Sequence, residues 1–196
     1  MATTRENKSI SDFKSALIGG GARPNLFEVE LTTLPGGITW DADNFRYMCK
    51  AASLPASTIA NIDVPFRGRI FKVAGDRTID VWSVTVINDE DFKLRNAFEN
   101  WMELIAKLDN NLGATQPEAY MTNAKVFQLG RGSTKSSTGN SGDANTVLKE
   151  YEMIDIFPTS VSAIDLSYDT GDTIEEFTVE FQVQSYSQVG AGSPNG

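Results

Sequence analysis

The chain has 196 residues, 40% of them apolar, which is enough to build a buried core within one domain and too much for a wholly disordered chain. Its 26 Asp and Glu against 17 Lys and Arg give a net charge of −9 and a pI near 4.5, which excludes a surface that grips nucleic acid by neutralising phosphates. One cysteine, Cys49, and no histidine exclude an intrachain disulfide and Ser-His-Asp or Cys-His nucleophilic systems, and argue against a His/Cys zinc site; carboxylate, Lys, Tyr or Ser chemistry is left. No apolar run reaches the roughly 18 residues of a membrane span, and MATTRENKSISDF lacks the apolar stretch of a signal peptide. A soluble chain, not exported by the usual N-terminal route and not inserted in a membrane, is expected.

Residues 1–24 read as an N-terminal arm and loop: a short helix or extended arm anchored by Phe13, Leu17 and Ile18, then a Gly19-Gly20-Gly21 break. No Gly-Lys-Ser/Thr follows that break, so it is a loop and not a phosphate cradle. Asn25 to Leu31 reads as a strand with Phe27, Val29 and Leu31 on one face and Glu28 and Glu30 on the other. Pro35-Gly36-Gly37 marks a turn, Phe45 to Ala52 a helical turn or strand, and Leu54 to Phe66 an edge or interrupted strand, because it contains Pro55 and Pro65. Arg67 and Arg69 are expected to pair with carboxylates, either within the subunit or across an interface.

From Val64 to Leu108 the pattern predicts two strands turned through Ala74-Gly75-Asp76, then a helix on a sheet. The second strand, Thr78 to Ile87, alternates Thr78, Asp80, Trp82, Val84 and Val86 against Ile79, Val81, Ser83, Thr85 and Ile87, with both faces apolar toward its end. Asn88 is placed to cap the helix, with Asp89, Glu90 and Asp91 at its positive end. Leu94, Phe98, Trp101, Ile105 and Leu108 form its apolar stripe, and Asp109 to Gly113 its stop, with an Asn or Gly in the left-handed conformation.

Tyr120 to Leu129 reads as a strand, and residues 130–145 as a Gly/Ser-rich flexible surface loop. Val147 to Phe157 alternates Leu148, Glu150, Glu152, Ile154 and Ile156 against Val147, Tyr151, Met153, Asp155 and Phe157, and Pro158 is expected to end it. Val161 to Tyr168 leads through a turn at Asp169 to Asp172 into a long strand, Thr173 to Tyr186. That strand sets Phe177, Val179, Phe181 and Val183 against Thr178, Glu180, Gln182 and Gln184. Residues 187–196 read as a disordered tail.

The strings that suggest chemistry have plainer readings. Asp169-Thr170-Gly171 matches the triplet of aspartic proteases, but those need two carboxylates and this chain has one copy, so a hairpin turn is the expected role. Glu175 and Glu176, neighbours on a strand, point to opposite faces and cannot converge as a glycosidase pair. Trp40, Trp82 and Trp101 have no basic groove beside them and are expected in the core or an interface. No enzyme activity, cofactor or metal is predicted.

Over most of its length the chain resembles the major tail tube proteins of contractile-tailed bacteriophages. The likeness lies in residues 20–27 (GGARPNLF), 49–55 (CKAASLP), Arg67-Gly68-Arg69, Ala74-Gly75-Asp76-Arg77, Asn88-Asp89-Glu90-Asp91-Phe92 through Trp101, and Phe157-Pro158 to Tyr186 with Ile174-Glu175-Glu176-Phe177. The loop at 130–145 departs from that pattern. The resemblance implies a mainly β fold with one α-helix, two packed antiparallel sheets in a sandwich or barrel-like arrangement, as one tube domain over 1–196. It implies a structural virion protein, assembled in the host cytoplasm, whose hexameric rings stack into the hollow inner tube of a contractile tail. Sheath, baseplate and tail terminator proteins are the implied partners, and genomic DNA the passing cargo. In such a tube Thr178, Glu180, Gln182 and Gln184 are candidates to face the lumen, and Arg67, Arg69 and Arg23 candidates for contacts between subunits or rings. The tube protein of a type VI secretion or extracellular contractile injection system is the structural alternative, and a hydrolase using Asp169 the alternative of another class.

Overall fold

The computed structural model describes residues 9–17, 21–130, 147–169 and 171–189. The elements, in order, are α1 (Ile10–Ala16), β1 (Phe27–Glu30), α2 (Ala42–Met48), β2 (Cys49–Ala52), β3 (Ser57–Phe66), β4 (Arg69–Ile79), β5 (Trp82–Ile87), α3 (Lys93–Ile105), β6 (Thr122–Leu129), β7 (Val147–Val161), β8 (Glu176–Gln182) and β9 (Ser185–Val189). All strand pairs are antiparallel. The body is ordered β1-β6-β7-β8-β5-β2, with β9 added to β7, and β3-β4 is a separate two-stranded hairpin. Two antiparallel layers meet at β7, as expected, but three α-helices are present among the described residues where one was predicted.

The layers meet because β7 bends. Asp155 takes a left-handed φ of 56°, its N–H donating to Asn123 Oδ1 at 3.1 Å, and the register with β6 slips between Met153 and Ile156. Such a bulge inserts one residue and turns the strand. Ahead of it β7 lies between β6 and β9; beyond it β7 pairs with β8. The slip also corrects the predicted alternation, because Met153 and Ile156, assigned to opposite faces, are both fully buried. Pro158 does not end the strand: it sits opposite Phe181 at a second register shift, where a missing N–H is tolerated. The long predicted strand 173–186 is likewise two strands in two layers, and β9 carries residues 187–189, expected in the tail, into the sheet. Residues 131–146 and 190–196, which hold most of the expected flexible loop and tail, lie outside the described residues, as does Ile18.

The core is aromatic. Phe98 on α3 has ring neighbours Trp40 at 5.4 Å, Phe181 at 5.9 Å, Phe45 at 6.0 Å and Phe177 at 6.2 Å, so one helical residue ties α2, β8 and the 32–41 segment together. Trp82 and Trp101 are buried, their indole N–H groups donating to the Ser53 and Tyr120 carbonyls. Each thus keeps its one polar group satisfied. The helix stripe holds for Leu94, Phe98 and Trp101, but α3 ends at Ile105 and Leu108 is exposed. The left-handed asparagine of the stop is Asn111, with φ 56°, beyond the helix end at Ala106. Asn88 does not cap α3. Its amide is buried and donates to Glu175 Oε2 at 2.9 Å, and the helix instead starts after Phe92, which has φ 52° and no side-chain cap. On the 32–41 segment Gly36 has φ 72°, and a Cβ there would lie 2.6 Å from Leu104 Cδ2, so glycine is required.

Residues 45–52, left between helix and strand by the sequence, are both: Asp41 caps α2 by accepting from the Asn44 N–H, and β2 follows directly. On β1, Val29 and Leu31 enter the core, while Glu28 and Glu30 meet Arg46 of α2 at 2.7 and 3.5 Å. On β5, Trp82, Val84 and Val86 are buried, but the other face is only half covered and Val81 is exposed, so this strand is not enclosed on both sides as expected.

Truncating Phe98 to Ala should cost about 3–5 kcal/mol, read as a lower denaturant midpoint at unchanged slope. Cys49 is buried beside this core, and burial pushes its thiol up to about 12. The protonated thiol should react with a maleimide at pH 8 at least about a hundredfold more slowly in the native protein than after unfolding. Because the folded state holds this proton more tightly, its contribution to stability should be complete below the ordinary 9.0 and lost as pH rises toward about 12; Cys49→Ala should flatten that part of the stability profile.

Candidate functional site

The most unusual surface is the β3-β4 hairpin. It turns at Arg67-Gly68, both with positive φ (46° and 80°), the geometry of a two-residue hairpin loop matched to strand twist. The turn predicted at Ala74-Gly75-Asp76 is instead strand, and the hairpin is longer than expected because β4 runs unbroken from Arg69 to Ile79. Residues 74–76 lie where the pairing slips past Ala60, and Gly75 is needed there because a Cβ would come within 3.1 Å of the Ala60 carbonyl oxygen. The strand expected over 78–87 is broken at Asp80-Val81, where the hairpin leaves the body.

Cross-strand pairing sorts the hairpin's faces. Ile62 pairs with Val73, Val64 with Phe71 and Phe66 with Arg69, which places five apolar side chains on one face. The alternating pairs Asn61–Ala74, Asp63–Lys72 and Pro65–Ile70 make the other face mixed, with an Asp63–Lys72 ion pair of 2.7 Å and Ile70 exposed near the tip. All five apolar residues are exposed, Phe66 and Phe71 each by 67%. A two-stranded hairpin is marginal in water by itself, and this one presents its apolar face to solvent. At its base, Arg77 donates to Ser57 Oγ and Tyr186 Oη, fastening it to β9.

At the tip the Arg67 guanidinium lies over the Phe66 ring at 5.4 Å, and Arg69 shares the apolar face. Among the described residues neither has a carboxylate within ion-pair distance. Arg23, the third candidate, is exposed just before β1, where its carbonyl accepts from the Gln128 side chain. It belongs to a different part of the surface from the hairpin tip. The candidates on β8 do share a face: Thr178, Glu180 and Gln182 point away from the core that Phe177, Val179 and Phe181 enter. Thr178 meets Thr85 at 3.3 Å on neighbouring β5, and Gln184 is exposed in the bend beyond the strand. Sequence reasoning missed the hairpin's apolar face. Ile62, Val64 and Phe66 alternate with Asp63 and Pro65, and Arg67-Gly68 is a two-residue turn signal, so the pattern was present.

The strings weighed as catalytic are dispersed. Glu175 is bound by Asn88 and Glu176 by Lys50. Asp169 lies in a loop, not in a hairpin turn between strands, because residues 162–167 and 173–175 are irregular. No group of three or more potential metal ligands occurs among the described residues, and no helix there is long and apolar enough to cross a membrane.

The sequence profile of the phage tail tube proteins matches residues 22–189. The tail tube proteins gp19 of Enterobacteria phages T4 and T6 are each 38% identical over 161 residues, covering 82% of this chain and 88% of theirs. Among solved structures, chains of the anti-feeding prophage baseplate (TM-score 0.62, 12% identity, 88% of this chain and 97% of that one) and of its tube-terminating cap (0.58, 15%, 87% and 92%) share the fold. So does a chain of the PVC extracellular contractile injection system's sheath-tube complex (0.55, 13%, 93% and 99%). The chain therefore belongs to the phage tail tube protein family and is a structural virion component of a contractile tail.

Proposed function

We propose that this protein forms stacked hexameric rings by burying the apolar face of the β3-β4 hairpin against other copies, and that the resulting hollow tube conducts the genome inside a contractile sheath. The observation that carries this reading is the hairpin itself: a folded body extends a long two-stranded arm whose five apolar side chains are covered by nothing among the described residues. Burying them removes apolar surface from water and ends the edge exposure of both strands. Helix α1 fits the same scheme, since its Ile10 and Phe13 are exposed and it buries no residue in its own chain. Baseplate, sheath and terminator proteins are the partners such a tube requires. All 196 residues act as one tube domain in this reading.

The polar face of β8 suits a lumen. Thr178, Glu180 and Gln182 carry no cation, and Lys50 at the margin is paired with Glu176. Phosphates passing such a wall find no charge to neutralise, so DNA slides without binding. No catalytic step is assigned. Glu175 and Glu176 are turned to different partners, and a single Asp169 on a loop lacks the second carboxylate that its chemistry needs. A tube of an injection system would have the same geometry; 38% identity to phage relatives against 12–15% to injection-system chains favours the phage conduit.

Phe66→Asp/Phe71→Asp should leave a monomer with unchanged circular dichroism that forms no rings or filaments in negative-stain electron micrographs, at concentrations where the parent protein does. Polymer formed by the variant would remove the hairpin from the assembly. Glu180→Lys should permit rings but slow genome ejection, and unchanged ejection would take the β8 face out of the lumen.

A further inference from the structure

A second surface matches the hairpin tip in shape and sign. The segment between β7 and β8 exposes Leu166, Tyr168 and Ile174, and bears Asp165, Asp169 and Asp172, none of which has an ion-pair partner among the described residues. With Ile164, Glu175 and Glu176 it encloses an open cleft of about 530 Å³. The hairpin tip is the converse: Phe66 and Phe71 flanked by Arg67 and Arg69, also without carboxylate partners among the described residues. Each surface is apolar at its centre, and the two have opposite charge.

Their placement is also opposite. β5 and β8 pair from Trp82–Phe181 at one end to Ile87–Glu176 at the other. The hairpin joins the sheet just before Trp82, and the 164–175 segment joins it just before Glu176. The two roots are thus separated by the six residues of β5, about 17 Å at ~3.4 Å per residue. Complementary surfaces that spring from opposite ends of one sheet are not the same patch, so their pairing makes head-to-tail contacts that repeat from copy to copy.

We infer that the hairpin tip of one copy seats in the 164–176 cleft of the next copy, with Phe66 and Phe71 against Leu166, Tyr168 and Ile174, and Arg67 and Arg69 facing Asp165, Asp169 and Asp172. This rests on the reading that the hairpin drives assembly and names its receptor. Burial of the arginines is offset by the carboxylates, and because Asp63 on the reverse face is already neutralised by Lys72, the cations at the tip decide which face docks.

Charge reversal tests it. Arg67→Glu/Arg69→Glu and, separately, Asp165→Lys/Asp172→Lys should each cut sedimentable polymer by at least about tenfold, and the chain carrying all four changes should regain it. Circular dichroism and a slow Cys49 thiol reaction verify the fold of each variant. Should the cleft variant polymerise like the parent while the hairpin variant fails, or should the fourfold chain not recover, the pairing is overturned while the hairpin's role stands. If the hairpin variant also polymerises normally, the pairing is overturned, and the Phe66→Asp/Phe71→Asp variant alone decides whether the hairpin drives assembly. As an independent readout, Phe66→Cys/Leu166→Cys in a Cys49→Ala background should give a ladder of disulfide-linked oligomers on a non-reducing gel; monomer alone overturns the proposal.

Discussion

The structure depends on one constraint: a two-stranded hairpin cannot bury a face against itself. Strands gain stability from apolar burial on the faces of a sheet, and a pair with nothing stacked on it has no such burial. Here the exposed face includes two phenylalanines and three β-branched residues, so the exposed arm is a cost the monomer carries. In the assembly we propose, that cost becomes the driving force. The reverse face carries the Asp63–Lys72 pair and fewer large apolar side chains, Ile70 among them, so the two sides of the arm differ in how much apolar surface they expose.

The body is built to hold this arm in place. Phe98 packs α3 onto β8 and onto the rings of α2 and the 32–41 segment, and Trp82 opens β5 directly after the hairpin, buried against Phe181 at 5.2 Å. The Arg77–Tyr186 bond and the stacking of Arg77 on that ring tie the hairpin base to β9. Because β7 carries both β9 and β8, the bend at Asp155 couples the hairpin's anchor to the strand whose polar face we assign to the lumen. One packed core thus fixes the relation between the hairpin that we propose for assembly and the β8 face that we propose for the lumen.

Charge is divided to the same end. The chain is acidic as a whole, yet its hairpin tip is basic, while the 164–176 segment is acidic. Most ion pairs of the body, such as Lys125–Glu150 at 2.9 Å, are partly exposed and contribute little to stability. Arg67 and Arg69, without carboxylate partners among the described residues, suit the contacts between chains that we propose.

Much was legible in the sequence because it depends on local spacing. Period-two alternation identified β1, β5 and β8, a 3.6-residue stripe identified α3, and residue chemistry excluded a His-based site. Family likeness, carried by segments in order across the chain, gave the tube role. What local spacing cannot carry is decided by contacts distant in sequence. Asn88 has a capping residue's chemistry but is claimed by Glu175, 87 residues away. Residues 173–186 read as one strand and are divided between two layers because β7, bent at Asp155, offers a partner on each. Arg67-Gly68 turns the hairpin where Ala74-Gly75-Asp76 offered an equally plausible signal, because the pairing of Ile62, Val64 and Phe66 with Val73, Phe71 and Arg69 is satisfied only in that register. The sequence by itself determined which residues are apolar and at what period; only the tertiary structure decided which apolar faces the chain covers, because burial is a property of the neighbours that a face meets.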